Sequence, residues 1–563
     1  MHEPITDIVI VGGGTTGWLV AAHLNHRLQW GLGHSDGVRI TLIESPDIPV
    51  IGVGEATIPP IRAMLSLLDI DEDEFVARTQ ATFKLGVRFD DWDRDEGSDR
   101  APDASVRSFV HPFTGGLQLA GRDPAASLLA YGLPADLTID PQLANLVGHG
   151  VAAIAAHRSP RSLADAPYAG AINYAYHFDA GLFAAFLREV CTARGVEHVR
   201  DTVLGIDQDD RGHIAALRLG SGTRRETELV IDCSGFRGLL INEALGEPFV
   251  SYADYLPNDR AVAIQVAHDE THALLPATVS TASDAGWTWR IPLRSRVGTG
   301  HVFASGFMTD DQAVDTLVRR NTGFTQLTDA RAIPMRVGRC RNSWVGNCVA
   351  IGLASGFIEP LESTSIQFVD YACRRLLRAM PSRAFEPTQI ARFNTEMAEL
   401  YEEVRDFLGL HFTLGNRRDT PYWRAVAHDA KRSDALAHCL ALWRHALPDD
   451  FDPRSSVAFG AGSVRAVLFG KRFYTAPIAT GTDLLPREHW DRYARQIGAL
   501  QQILVGALPP HAEMLRMMVG RAAIGASAAR KAPMLGLPDR DDPFTHEPQI
   551  MAPDTRLARA LSG

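Results

Sequence analysis

The stretch DIVIVGGGTTGWLVAAHL, residues 7 to 24, constrains the fold of this chain more than any other. A short β-rich run ends at Gly12, and apolar residues then recur at helical spacing, which predicts a strand, a glycine turn and a helix. Gly12, Gly14 and Gly17 form GxGxxG at that junction. The first glycine permits the tight turn, the second lets backbone approach a pyrophosphate, and the third lets helix pack closely on strand. Unpaired N–H groups at the helix start then face the phosphates. A second β-rich run, VRITLIES at 38 to 45, carries Glu44 near its end, where a ribose hydroxyl would be met. The pattern predicts an α/β, Rossmann-like dinucleotide-binding domain.

Two further runs, ELVIDCSGF (228 to 236) and NCVAIGLASGF (347 to 357), read as buried strands that end in small residues at a ligand. Their distance from residue 7 predicts one cofactor domain with insertions, spanning 1–384. From 385 to 563 helical periodicity dominates, which predicts a mostly helical substrate-side domain. Proline and acidic clusters at 447 to 456 and 537 to 549 mark loops, and the segment after about 535 is expected to pack loosely. The net charge of −11 argues against a general nucleic-acid or anionic-membrane binder. The N-terminal apolar run stops at three glycines, so no signal-peptide core is expected, and no apolar stretch reaches the roughly 18 residues of a membrane span. Six cysteines without CxxC spacing indicate neither a metal site nor a disulfide framework. A cytoplasmic location fits this usage best.

The glycine motif alone does not choose between FAD and NAD. FAD is favoured by the motif's place at the start of a long chain, by DCSGF with Arg237 as a second flavin-contacting segment, and by the lack of a second GxGxxG. Several ordered motifs then carry a likeness: GGGTTGW (12 to 18), VGEATIP (53 to 59), FKLGVRFDDW (83 to 92), HPF (111 to 113), AYHFDAGLFAAFLR (175 to 188), DCSGFRG (232 to 238), GWTWRIP (286 to 292) and GFIEPLESTS (356 to 365). Together they resemble the flavin-dependent tryptophan halogenase family, from residue 6 to about 430. The resemblance implies an FAD-binding domain of the flavin monooxygenase type. In such enzymes reduced FAD and O2 oxidise chloride or bromide to hypohalous acid, which travels down a tunnel to an aromatic substrate held away from the flavin. It implies a separate flavin reductase as partner and a place in secondary metabolism, such as antibiotic biosynthesis. A homodimer is carried as an option.

Residue by residue, the likeness assigns cofactor contacts to Gly12, Gly14, Thr16, Gly17, Trp18, Glu44, Gly54, Glu55, Ala56, Val203, Leu353 and Ile366. Lys84 and Glu362 match the catalytic lysine and carboxylate. An isolated lysine is usually a solvated charge, but Phe83, Leu85, Val87 and Phe89 around Lys84 suggest burial, where an ammonium needs a partner. Glu362 would stabilise the cationic ring and take its proton, while ESTS also reads as a helix-capping sequence. Thr364 and Ser365 are assigned to the halide, at a helix start. Ser363, His111, Phe113, Trp287 and Trp289 are assigned to the substrate side. If GWTWRIP is extended, both indoles share a face, as packing or as a wall between flavin and substrate.

One departure bears on substrate. Free-tryptophan halogenases carry a paired-tyrosine motif with a nearby glutamate that holds the amino-acid end. The corresponding stretch, SSVAFGAGSVRAVLFGKRFYTAP (455 to 477), has no such pair and no acid. A buried zwitterion needs partners of both signs, so the expected substrate is a tryptophan in a peptide, a tryptophan derivative, another indole or a larger natural product. Gly460, Gly462 and Gly470 suggest a loop able to admit bulk. Two other readings remain at this level: a flavin aromatic monooxygenase and a flavin-binding protein without turnover.

Overall fold

A computed structural model describes residues 3–30, 37–48, 54–93, 108–114, 124–134, 136, 149–268, 274–450, 452, 458–474 and 484–531. Its first sheet has six strands in the order Trp344–Val345, Cys348–Ala350, Leu229–Asp232, Asp7–Val11, Arg39–Glu44 and Glu197–Arg200. All neighbours pair parallel except Trp344–Val345. The strand Asp7–Val11 is buried on both faces, which is why it reads as an unbroken apolar run. Both glycine-ended runs, at 228 and 347, are parallel strands of this sheet, as the sequence predicts. The helix Thr15–Asn25 follows the glycine turn. Gly12 has a φ of +117°, and a Cβ on Gly17 would stand 1.8 Å from the Gly12 carbonyl oxygen. Helix and turn can meet only because those two residues are glycine.

The second sheet has seven strands in the order Arg331–Pro334, Arg260–Val266, Val297–Phe303, Gly286–Pro292, Thr278–Ser283, Gly86–Asp90 and Ser108–Pro112. GWTWRIP is its middle strand, and both indoles lie on one face. Trp287 sits opposite Ala282 and Val302, and Trp289 opposite Ser280 and Gly300. A Cβ on Gly300 would lie 2.1 Å from the Trp289 ring, so the missing side chain is the space the indole fills.

A third, three-stranded sheet joins Gly54–Ala56, Ala175–Asp179 and Thr82–Lys84. Glu72 braces it from below. That carboxylate is 2% exposed and accepts hydrogen bonds from Tyr174 (2.8 Å), Tyr176 (2.6 Å), the Tyr168 backbone N–H (2.7 Å) and Arg161. The Tyr174 and Tyr176 rings in turn flank Phe83, the neighbour of Lys84.

From Ser365 onward every described element is a helix, the longest being Pro387–Thr413. The chain divides into a compact unit, Met1–Val519, and a second, Gly520–Gly563, of which residues 520–531 continue the helix His511–Lys531. The change in pattern near residue 385 falls inside the first unit. The glycines at 460, 462 and 470 do not form the expected loop. Ala461–Gly470 is a helix, and Gly470 is small because a Cβ there would meet the Phe109 ring at 2.3 Å. The loop expected at 447 to 456 lies partly outside the described residues, and that at 537 to 549 wholly outside, as does the tail. No helix among the described residues is long and apolar enough to cross a membrane.

Replacing Glu72 with alanine removes the shared acceptor of two tyrosine hydroxyls and a buried guanidinium. Loss of one partner from a buried ionic network costs about 3–5 kcal/mol, so Glu72→Ala should show a markedly lower denaturant midpoint than wild type. An unchanged midpoint would contradict the bracing role.

Candidate active site

A cavity of about 420 Å³ opens at the carboxyl ends of the parallel strands. Gly12, Gly14, Thr16, Glu44, Gly54, Glu55, Ala56, Val203, Leu353 and Ile366 line it, together with Trp287, Trp289, Ser363 and Ser365. Gly17 and Trp18 do not line it. Gly17 packs helix on turn, and Trp18 stands edge-on to His198 at 5.0 Å, while His198 Nε2 lies 2.8 Å from the Glu44 carboxylate. Trp18 therefore supports the cavity from behind.

The residues present fit a flavin dinucleotide. A Cβ on Gly14 would meet nothing within 4 Å, so the backbone over the helix start is open to a phosphate. The helix Thr15–Asn25 has no side-chain cap at its N-terminus, and neither has Ser365–Arg378. Residues at the start of each, Thr15 and Thr16 in one and Ser365 and Ile366 in the other, line the same cavity. Two sets of unsatisfied N–H groups thus face one space, a favourable setting for anions.

Lys84, Glu362, His111, Phe113 and Thr364 lie outside that cavity's lining. Four of them form a second, dry cluster beside it. Lys84, at the end of its short strand, is 0% exposed, and its Nζ donates to Ser363 Oγ at 2.8 Å. The ammonium also stands 5.1 Å from the centre of the Phe113 ring. Burial pushes Lys84 down to about 7, against the pull of Glu362 and Glu55. Ser363 faces the cavity and also accepts from Lys84, so one hydroxyl joins the two spaces. It holds a left-handed backbone with φ of +63°, a costly conformation for a residue other than glycine.

Glu362 is 0% exposed. His111 Nδ1 lies 3.0 Å from each carboxylate oxygen, and His411 Nε2 lies 2.8 Å from Oε1. Burial alone would raise this carboxyl, but the two histidines outweigh it and hold it down to about 2. The other nitrogen of His411, Nδ1, faces the Phe407 carbonyl at 3.1 Å. Both ring nitrogens therefore lie near oxygen atoms, while burial pulls the imidazole below its ordinary range.

His411, Phe407 and Phe459 were not singled out by sequence reasoning. Phe459 stacks on Phe407 at 4.0 Å and lies 5.9 Å from His111. Their one local signal is the i, i+4 spacing of Phe407 and His411, which places them on one face of Pro387–Thr413.

A dinucleotide cavity lined by two tryptophans, with a buried lysine and carboxylate just beyond it, marks a flavin-dependent enzyme. The tryptophan halogenase family model matches residues 7–487. The chain is 41% identical over 450 residues to tryptophan 7-halogenase RebH of Lentzea aerocolonigenes, covering 79% of this chain and 83% of that one. The crystal structure of the tryptophan 6-halogenase SttH of Streptomyces toxytricini superimposes with a TM-score of 0.82 at 36% identity, covering 91% of this chain and 99% of that one. Xcc4156, a flavin-dependent halogenase from Xanthomonas campestris, gives 0.81 at 34% identity, covering 92% and 99%. The chain belongs to the tryptophan halogenase family, and it is a flavin-dependent halogenase.

If His411 helps hold the Glu362 proton low, its removal lets the carboxyl rise toward and above its ordinary range. A carboxylate with a raised pKa protonates at higher pH. The acid limb of the halogenation rate in His411→Leu should therefore move to higher pH, by a unit or so, in single turnovers started with pre-reduced flavin. An acid limb that stays in place would show that His111 suffices.

Proposed function

We propose that the chain attaches chloride or bromide to an indole that is not held as a free amino acid: the ring of a tryptophan in a peptide, a tryptophan derivative or another indole. The observation that carries this reading is the placement of Lys84 and Glu362 in one buried cluster, joined to the cofactor cavity through Ser363.

Gly12, Gly14, Thr16, Glu44 and the segment around Val203 would hold the flavin, with Glu55 and Ala56 of the strand Gly54–Ala56 beside it. Bound reduced flavin supplies, with O2, the oxidising power that converts halide to hypohalous acid. Thr364 and Ser365 offer halide an uncapped helix start. Lys84 receives the oxidised halogen and, as ammonium, donates a hydrogen bond that makes it more electrophilic. At the ring carbon a carbon–halogen bond forms as the halogen–oxygen bond breaks. The oxygen leaves as water after taking the Lys84 proton. The ring proton passes to Glu362, whose carboxylate first steadies the cationic ring. His111 fixes the carboxylate's orientation, and Phe113 with His111 offers the ring an aromatic edge. Overall, FADH2, O2, halide, one proton and the arene give FAD, the aryl halide and two waters. A separate reductase supplies the reduced flavin.

The substrate reading is supported by the segment 458–474. Its charged residues are Arg465, Lys471 and Arg472, with no acid to meet a free amine. Lys471 is itself buried, donating to the Trp92 carbonyl at 3.1 Å. RebH and SttH are named for different ring positions at similar identity to this chain, so the position attacked here needs its own measurement.

The test combines the protein with FAD, a flavin reductase, NADH, and chloride or bromide. Mass spectrometry then follows free tryptophan, simple indoles and tryptophan-containing peptides. Halogenated indole or peptide in excess over halogenated free tryptophan is expected, and the reverse would overturn the substrate reading. Lys84→Ala should lose product by about 10²-fold or more while still binding FAD. In wild type given pre-reduced FAD, product formation should fall as pH rises through about 7, where Lys84 loses its proton. A rise across the same range would favour the neutral amine, and a chloramine, instead.

A further inference from the structure

Three residues before Glu362, the same turn carries a second buried acid. Glu359 is 1% exposed and precedes the single helical turn Pro360–Glu362. One of its oxygens, Oε2, accepts the indole N–H of Trp287 at 2.9 Å and the Asn258 amide at 2.8 Å. The Asn258 carbonyl oxygen accepts in turn from the Tyr422 hydroxyl at 3.0 Å. Tyr422 belongs to the helix Pro421–His428, which also grips the hairpin bearing the tryptophans. The Trp423 indole donates to the Ser283 carbonyl at 2.7 Å, and Thr420 Oγ1 donates to the Asp284 carbonyl at 2.7 Å. Among the described residues, Glu359 Oε1 has no hydrogen-bond partner. With all the acceptance placed on one oxygen and none on the other, this carboxyl holds its donors without needing a charge. Burial pushes it up to about 7, consistent with a neutral acid.

Trp287 lines the cofactor cavity and packs beside Trp289, with ring centres 6.2 Å apart. An indole can pivot about its side-chain bonds unless its N–H is tied, and the tie here comes from the peptide segment that carries Glu362 and Ser363. We propose that Glu359 is a positioning residue for halogenation: by fixing the Trp287 indole it keeps the wall between flavin and substrate closed. It also ties that wall to the turn on which the Lys84–Ser363–Glu362 contacts depend. The inference rests on reading the two tryptophans as that wall.

A wall that leaks lets oxidising equivalents escape to water. FADH2 and O2 then yield FAD and hydrogen peroxide, with no halide consumed. The experiment uses the full chain with FAD, a reductase, NADH, bromide and indole, and measures bromoindole against hydrogen peroxide per NADH oxidised. In Glu359→Leu the product-to-peroxide ratio should fall about tenfold, the scale expected when a buried hydrogen bond is lost, while FAD affinity changes little. Glu359→Gln, which keeps an oxygen for Trp287 and Asn258, should recover most of the ratio. Trp287→Phe, which lacks the N–H, should lower the ratio alike, and adding Glu359→Leu to it should lower it little further. A purely structural role would make the two losses multiply.

An unchanged ratio in Glu359→Leu overturns the proposal, as does a Glu359→Gln variant that fails as badly as the leucine. Should the leucine variant not fold, the glutamine variant and Trp287→Phe still decide it. An unchanged ratio in Trp287→Phe would instead sink the wall reading on which the proposal stands. Wild type that makes peroxide and no bromoindole would point to another aromatic as substrate, and the ratio would then be read with the indole-bearing compound that is turned over.

Discussion

The hydrogen bond from Lys84 Nζ to Ser363 Oγ links the buried lysine to a residue that lines the cofactor cavity. Everything around it serves to hold its ends in place. Lys84 comes from a short strand whose sheet is braced by Glu72 and the tyrosines it binds. The same strand is tied to a remote part of the chain, where the Phe83 N–H donates to His511 Nε2 at 3.1 Å. Ser363 comes from a turn in left-handed conformation, which aims its hydroxyl while leaving Thr364 to begin the next helix. A helix started one residue earlier would relieve that strain and move the hydroxyl away from the lysine. The strain is stored at the place where cofactor side and substrate side meet.

The wall of tryptophans follows from an ordinary sheet rule applied with unusual side chains. Alternation puts Trp287 and Trp289 on the same face, and their cross-strand neighbours on that face include Ala282, Ser280 and Gly300. Large rings over small residues fill space without forcing the strands apart. Such a wall is also core, because Trp287 is 1% exposed and Trp289 is 9% exposed. On the proposed reading, packing and partition are one arrangement.

Much of this was legible in the chain because its chemistry is local. The glycine turn, the parallel strands that end at the cavity, and the middle strand GWTWRIP each rest on a few consecutive residues. Backbone geometry alone explains them. The buried setting of Lys84 was also readable, from the apolar residues that flank it. What sequence could not give was who meets whom across long separations. His411 reaches Glu362 from a helix far along the chain, and nothing in GLHFT marks it. The glycines at 460 to 470 misled for a related reason. A glycine that admits a neighbouring ring, as Gly470 admits Phe109, looks in sequence like one that frees a loop. Trp18 and Gly17 sit in the motif but work behind the cavity, since a motif records which residues build a turn without saying which of them faces the ligand.

The sharpest case is the pair of acids in GFIEPLESTS. Glu359 and Glu362 stand three residues apart, both are almost wholly buried, and in sequence either could serve as a base. Burial pushes both upward. Glu362 is brought back down because two imidazoles, His111 and His411, meet it. Glu359 meets an indole and an amide, neutral donors that can orient a carboxyl without paying for its charge. It stays high. On the proposed reading, one acid takes a proton from a ring and the other holds a ring still. The short turn Pro360–Glu362 places both acids on one stretch of backbone, so the tie to Trp287 and the contacts to the histidines share a support.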